Sequence, residues 1–190
     1  MRALHSPVNV AGGPGAISAG LRALGVESTL LVFNERPFER GFDINLELRD
    51  TSRLSSVPFN LPKQLRALRW ALPRFDVFHF HAGLTLAPRR LTLPLLRSRK
   101  KGVVFQSWGS DLRRRRASEV GYLEQADAVI VGSYLTRRLA PRGRWPEYDV
   151  VHPAIVLDDW EPAPAEPRDV MRVAHAPSKR AVKGTESVIG

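Results

Sequence analysis

Several short stretches hold residue types that can do chemistry. In Asp76-Val77-Phe78-His79-Phe80-His81 two histidines flank one phenylalanine. Residues two apart on a strand face the same side, so His79 and His81 could bind a metal or act as acid and base. The chain has no cysteine to complete a ligand set, so a place in the core or lining a cleft is the favoured reading and no metal is expected. Gln106-Ser107-Trp108-Gly109-Ser110-Asp111-Leu112-Arg113 follows an apolar run. There Gly109 lets a ligand come close, Asp111 can accept sugar hydroxyls and Arg113 can meet a phosphate; the alternative for Asp111 is an N-cap on a following helix. Gly12, Gly13 and Gly15 surround Pro14 after the first apolar run. Backbone amides there could approach an anion at a helix N-terminus, or the cluster is a tight structural turn. Finally, Lys179, Arg180 and Lys183 stand beside Gly184 in the run 178–185. An arginine that binds bidentately and a lysine point charge suit a diphosphate.

Positioning these groups requires a scaffold, and the hydrophobic pattern supplies one. Arg2 to Val10 has strand character, and Ile17, Leu21 and Leu24 line one face of a helix that Gly25 ends. Ser28 to Phe33 is the next strand, and residues 34–62 read as irregular. A helix over Lys63 to Leu72, stopped by Pro73, precedes the strand Asp76 to Phe80. A helical segment ending in Arg97 to Lys101, a strand at Val103 to Phe105, a helix over Ser118 to Ala126 and a strand over Asp127 to Val131 continue the alternation. A helix then runs from Ser133, its N-cap, to Leu139, and a strand covers Asp149 to Val156. Short apolar strands alternating with helices predict an α/β fold, a doubly wound parallel sheet covered on both faces. In such sheets ligands bind where the carboxyl ends of the strands meet their loops, and every stretch named above falls at such an exit. Residues 1–157 make the first domain, and the proline-rich acidic run 158–169 has linker composition. Residues 170–190 supply one strand and a loop, too little to bury a core, so the sequence reads as opening a second domain without finishing it.

The 190 residues, 43% hydrophobic and 25% charged, suit one α/β domain and a fraction. They contain no long uncharged apolar run, which argues against a spanning helix and wholesale disorder. The absence of cysteine excludes a disulfide framework and a thiolate nucleophile. The start Met1-Arg2-Ala3-Leu4 lacks a signal-peptide apolar core, and a cytoplasmic setting is the default. Of the net charge of +10, residues 89–116 carry +9, with Lys100, Lys101 and Arg113 to Arg116 prominent. The stretch suits a phosphate-bearing partner, a nucleotide, an anionic lipid surface or nucleic acid; the alternative is a solvated arginine-rich face. Nothing resembles a helix-turn-helix or an aromatic RNA-reading strand, so a nucleic-acid partner is not expected.

Taken together, the glycine loop, the strand exits at Asp76 to Gly83 and Trp108 to Arg113, and above all His175 to Thr185 resemble the GT-B glycosyltransferases, most nearly the retaining group called family 4. The resemblance spans the acceptor-side N-terminal domain, the linker and the first strand and loop of the donor-side domain, both domains being Rossmann-like. It implies transfer of a hexosyl group from a nucleotide-sugar to an acceptor hydroxyl, with Arg180 and Lys183 on the donor diphosphate. His81, Gly109, Asp111 and Arg113 would then line the acceptor cleft. It implies no cofactor and no metal, a sugar or lipid-linked acceptor, and a peripheral place at the inner face of an anionic membrane through Lys100, Lys101, Arg114, Arg115 and Arg116. Many relatives carry His-Gly where this chain has Trp108-Gly109, so a histidine contact to the donor sugar does not carry over at that position. With the donor-side domain incomplete, this chain alone is expected to be inactive. The competing expectation is a non-catalytic Rossmann-like binding module or gene remnant.

Overall fold

The computed structural model describes residues 1–35, 41–109, 111–112, 115–155 and 161. The linker and the second-domain segment of the sequence reading, with Arg180 and Lys183, lie outside the described residues, as do Arg113 and Arg114. Met1–Val156 forms one compact unit. Its elements are β1 (Arg2–Ser6), α1 (Gly13–Ala23), β2 (Glu27–Val32), β3 (Ile44–Asn45), α2 (Val57–Ala71) and β4 (Val77–His81), followed by α3 (Arg89–Ser98), β5 (Gly102–Ser107), β6 (Ala128–Val131), α4 (Tyr134–Leu139) and β7 (Tyr148–Val150). The described strands make one sheet in the order β3-β2-β1-β4-β5-β6-β7, every neighbouring pair parallel. This is the expected Rossmann-like α/β architecture.

Alternation along the strands divides the sheet into two unlike faces. Leu4, Phe78, Phe80, Val103, Phe105, Val129 and Val131 belong to the main apolar core with Ala67, Leu68 and Ala71 of α2 and Leu93 and Leu96 of α3. Burying each of the three phenylalanines contributes about 1.5–3 kcal/mol. The residues between them point the other way: Ala3 and His5 on β1, His79 and His81 on β4, Gln106 on β5. Helix α1 packs on this second face, where Ser18 and Ser28 hydroxyls bond at 2.8 Å. At the amino ends of β4 and β6, Asp76 and Asp127 accept the amides of Arg2 and Val103 at 2.8 and 2.7 Å. They return their own amides to the same residues' carbonyls, so backbone groups at this edge of the sheet are satisfied.

Several boundaries differ from the sequence reading, each for a local reason. The first strand ends at Ser6, and a 3-10 turn over Val10–Gly12 leads into α1. Gly25 does end that helix in a left-handed conformation (φ +79°), but Leu24 beside it is 80% exposed and not part of the buried stripe. The segment 34–62 is not wholly irregular: it contains β3 and the start of α2. Pro58 fits the first turn of α2, where its missing amide has no intrahelical partner anyway, and Pro62 sits inside the helix. Burial of Ala67, Leu68 and Ala71 offsets the bond lost at Pro62. Over Ser118 to Ala126 two 3-10 turns, Ala117–Glu119 and Gly121–Gln125, replace the expected α-helix. Gly121 opens the second, and the first is closed by the Glu119 carboxylate on the Arg116 amide at 2.7 Å. The last strand is only Tyr148–Val150. Ser133 caps α4 as expected, its hydroxyl accepting the Thr136 amide at 3.1 Å.

Candidate functional site

Strand order reverses between β1 and β4: the chain builds outward from β1 through β2 and β3, then returns to lay β4 on the other side of β1. The carboxyl ends of strands flanking such a switch point part their loops and leave a crevice. Those loops are held in unusual backbone conformations. Ala11 and Gly12 after β1, Ala82 and Gly83 after β4, and Gly109 after β5 all have left-handed φ, from +51° to +113°. Such conformations at non-glycine residues carry strain that cluster at functional sites.

Three imidazoles occupy the switch point. His5 pairs with His79 across the β1–β4 ladder, and His81 lies two residues further along the same face. Ring centroids are 4.9 Å apart for His5–His79, 4.4 Å for His79–His81 and 5.6 Å for His5–His81. His5 Nδ1 lies 3.4 Å from His81 Nε2. His5 and His81 are completely buried and His79 is 8% exposed. Burial holds all three neutral: it pushes the His5 pKa down to about 4 and that of His79 to about 3. His81 is driven well below its usual value by the same desolvation and by its two neighbours.

The cluster continues into β5 and its loop. Gln106 pairs with His81 across the β4–β5 ladder. The Trp108 ring stands 6.0 Å from that of His81 and packs on the start of α1, where a Cβ on Gly13 would overlap it. Among the described residues, six buried side-chain atoms here have no hydrogen-bond partner: His5 Nε2, Ser6 Oγ, His79 Nε2, His81 Nδ1, Gln106 Oε1 and Trp108 Nε1. Buried polar groups are nearly always paired with protein or ordered water, and six without a described protein partner at the ends of three adjacent strands make this a place where water or a polar ligand would be held.

The residues singled out in sequence are distributed differently from one another. His81 and Gly109 stand at this crevice. Asp111 is there too, but as a strut: its Oδ1 accepts the Ser107 hydroxyl at 2.9 Å and the Trp108 amide at 3.0 Å, fixing the β5 loop. Among the described residues Asp111 caps no helix: the next helical turn, Ala117–Glu119, has Arg116 at its N-cap. Among the glycines, Gly12 donates to the Asn9 carbonyl at 3.2 Å, Gly13 to that of Val10, and Gly15 to Asn9 Oδ1 at 2.9 Å. With all three amides engaged, the glycine loop acts as a helix start shaped to admit Trp108, the structural alternative, and not as an anion cradle. The basic stretch is contiguous in sequence but not in space. Lys100 and Lys101 precede β5 while Arg115 and Arg116 follow it, so six strand residues, roughly 20 Å, separate them. Arg115 is ion-paired with Glu119 at 3.2 Å.

Sequence reasoning missed His5, Gln106, Trp108 as the wall against α1, and Asn9 as the anchor of the α1 start. Only strand register connects His5 to His79, although a histidine near the end of a first apolar strand was a visible signal.

No family model and no curated protein matches the chain. Among solved structures, it is similar to the UDP-GlcNAc 2-epimerase from Neisseria meningitidis, determined bound to UDP-GlcNAc. The TM-score is 0.49 and the identity 13%, over 73% of this chain and 42% of that one. The chain thus spans less than half the length of that enzyme. Among the described residues no helix is long and apolar enough to cross a membrane.

Proposed function

We propose that this chain carries the acceptor-side domain of a nucleotide-sugar-dependent glycosyltransferase of the two-domain kind its sequence resembles. The observation that carries the reading is the set of six unpaired buried polar atoms at the ends of β1, β4 and β5. The Ser6 hydroxyl and the Gln106 amide carbonyl offer acceptors for sugar hydroxyls, and the Trp108 indole offers both a donor and an apolar face for a sugar ring. In the transfer, the bond from the anomeric carbon to the diphosphate oxygen breaks and one to the acceptor oxygen forms. The acceptor's proton passes to an oxygen of the departing diphosphate. Arg180 and Lys183 receive the leaving diphosphate, an assignment that rests on the sequence resemblance alone.

The test is a titration with a panel of UDP- and GDP-sugars and free hexoses, followed by Trp emission and by the histidine ring proton resonances. Saturable shifts of the His5, His79 and His81 signals are expected, with the emission change absent in Trp108→Phe. If no member of the panel perturbs those signals at roughly 10 mM, about tenfold above a ~1 mM dissociation constant, the reading fails.

A further inference from the structure

We propose that His5, His79 and His81 form a three-imidazole site for a divalent transition metal of the zinc class, with one coordination position left for an anionic oxygen ligand. The inference stands on the triad's own geometry and does not depend on which sugar, if any, the crevice takes.

Three features of the triad point to a metal. The first is its construction. A His-x-His pair on one strand and a third histidine at the paired position of the next strand bring three rings to one side of the sheet without any loop. One ligand atom from each ring lies within 4.8 Å of the other two. A metal with nitrogen ligands at about 2.0–2.1 Å needs them closer than that, a contraction that small χ rotations of adjacent rings supply.

The second feature is one enclosed nitrogen on each ring without a hydrogen-bond partner among the described residues. His5 Nδ1 and His81 Nε2 face each other at 3.4 Å, a long contact, and the Gln106 side chain bonds to His79. His5 Nε2, His79 Nε2 and His81 Nδ1 are enclosed and unpaired. A histidine kept only for packing would find a carbonyl, hydroxyl or carboxylate partner, because a buried unsatisfied nitrogen costs about 1–3 kcal/mol. Three such nitrogens, on rings whose centroids lie 4.4–5.6 Å apart, are what one ion would satisfy together.

The third feature is the donor set itself. Imidazole suits zinc, copper, iron and nickel, whereas magnesium and calcium take oxygen; the chain has no cysteine, and among the described residues no carboxylate belongs to this cluster. Three neutral ligands leave the two charges of the ion uncompensated in a buried place. Among the described residues the charged groups that act on His5 are Arg22 and Asp43, which are paired with each other at 3.1 Å. The fourth ligand must therefore bring negative charge, as hydroxide or as an oxyanion. A His₃ set with one open position is how zinc is held when it activates a water.

The experiment is titration of the chelator-treated full chain with Zn²⁺ and, for its visible spectrum, Co²⁺. The expected result is one ion bound per chain, the absorption of a low-symmetry Co²⁺–nitrogen site, and a rise in Tm. Removal of an outer-shell partner typically weakens metal binding by 10–100-fold, so loss of a ligand in His5→Gln or His81→Gln should exceed roughly 100-fold. His152→Gln, an exposed histidine outside the cluster, should leave the affinity unchanged. Because a cluster variant can misfold, metal-edge X-ray absorption on the unmodified protein supplies an independent count, expected to give three imidazole ligands. No binding, stoichiometric binding that survives His5→Gln in a folded protein, or a ligand count of one imidazole or none would each overturn the proposal.

Discussion

Acidification of the metal-free protein should unfold it far above the pH at which surface carboxylates titrate. In the folded state burial depresses the pKa of His5 to about 4 and of His79 to about 3, and His81 also lies well below its usual value. In the unfolded chain each titrates near about 6.5. Between those limits the unfolded state binds more protons, so stability rises with pH there. It is complete above about pH 7 and is lost as pH falls from about 6.5 toward the folded values. At about pH 5 the loss per histidine is set by the unfolded pKa alone, provided the folded one lies well below, and comes to roughly 2 kcal/mol. Three such groups give roughly 6 kcal/mol, against a total of about 5–15 kcal/mol for an ordinary domain. The assay is urea unfolding by circular dichroism after chelator dialysis, at about pH 7.5 and about pH 5. With a slope near 2 kcal/mol/M, the midpoint should fall by about 3 M or the protein should already be unfolded without urea. A midpoint unchanged to within about 0.5 M would refute the reasoning, because the imidazoles could not then be buried and neutral as a group. Exposed carboxylates such as Asp76 and Glu119, whose pKa values are lowered chiefly by accepting backbone amides, act only at lower pH.

Two substitutions test the local accounts. Gly13→Ala places a methyl against the Trp108 ring, 2.6 Å from Cζ3; it should cost about 1–3 kcal/mol and alter the tryptophan emission. Gly20→Ala, on the same helix with nothing nearby, should be neutral or stabilise by up to about 1 kcal/mol, and equal effects of the two by chemical denaturation would sink the packing argument. Ser133→Ala removes the acceptor of the Thr136 amide and should cost about 1 kcal/mol, with Ser133→Asp restoring most of it; a loss in both variants would mean the serine acts otherwise than as a cap.

Much of the architecture was legible in the chain because parallel strands covered on both sides read as short apolar runs. Residues with strong local roles, such as Gly25 and Ser133, marked helix ends independently of what they pack against. Local rules failed where packing outweighed them. The start of α2 was hidden by Pro58 and Pro62, which its buried face tolerates, and Leu24 obeyed the helical spacing yet lies beyond the covered part of α1. At the site, His81 and the β5 loop were visible as polar residues at strand exits. Asp111 has the chemistry of a ligand group or a cap, and in the fold it holds the loop that carries Trp108.

By itself, then, the sequence determined the α/β class, the alternation of elements and the fact that polar groups sit at strand exits, since each depends on residues within a few positions of one another. Tertiary structure alone decided which exits meet. His5 and His81 are 76 residues apart and touch only because β4 lies beside β1 in one register; a slip of one residue would send the histidines to opposite faces. The same pairing separates Lys100 and Lys101 from Arg115 and Arg116, which the sequence places side by side, because an extended strand carries the chain across the whole sheet between them.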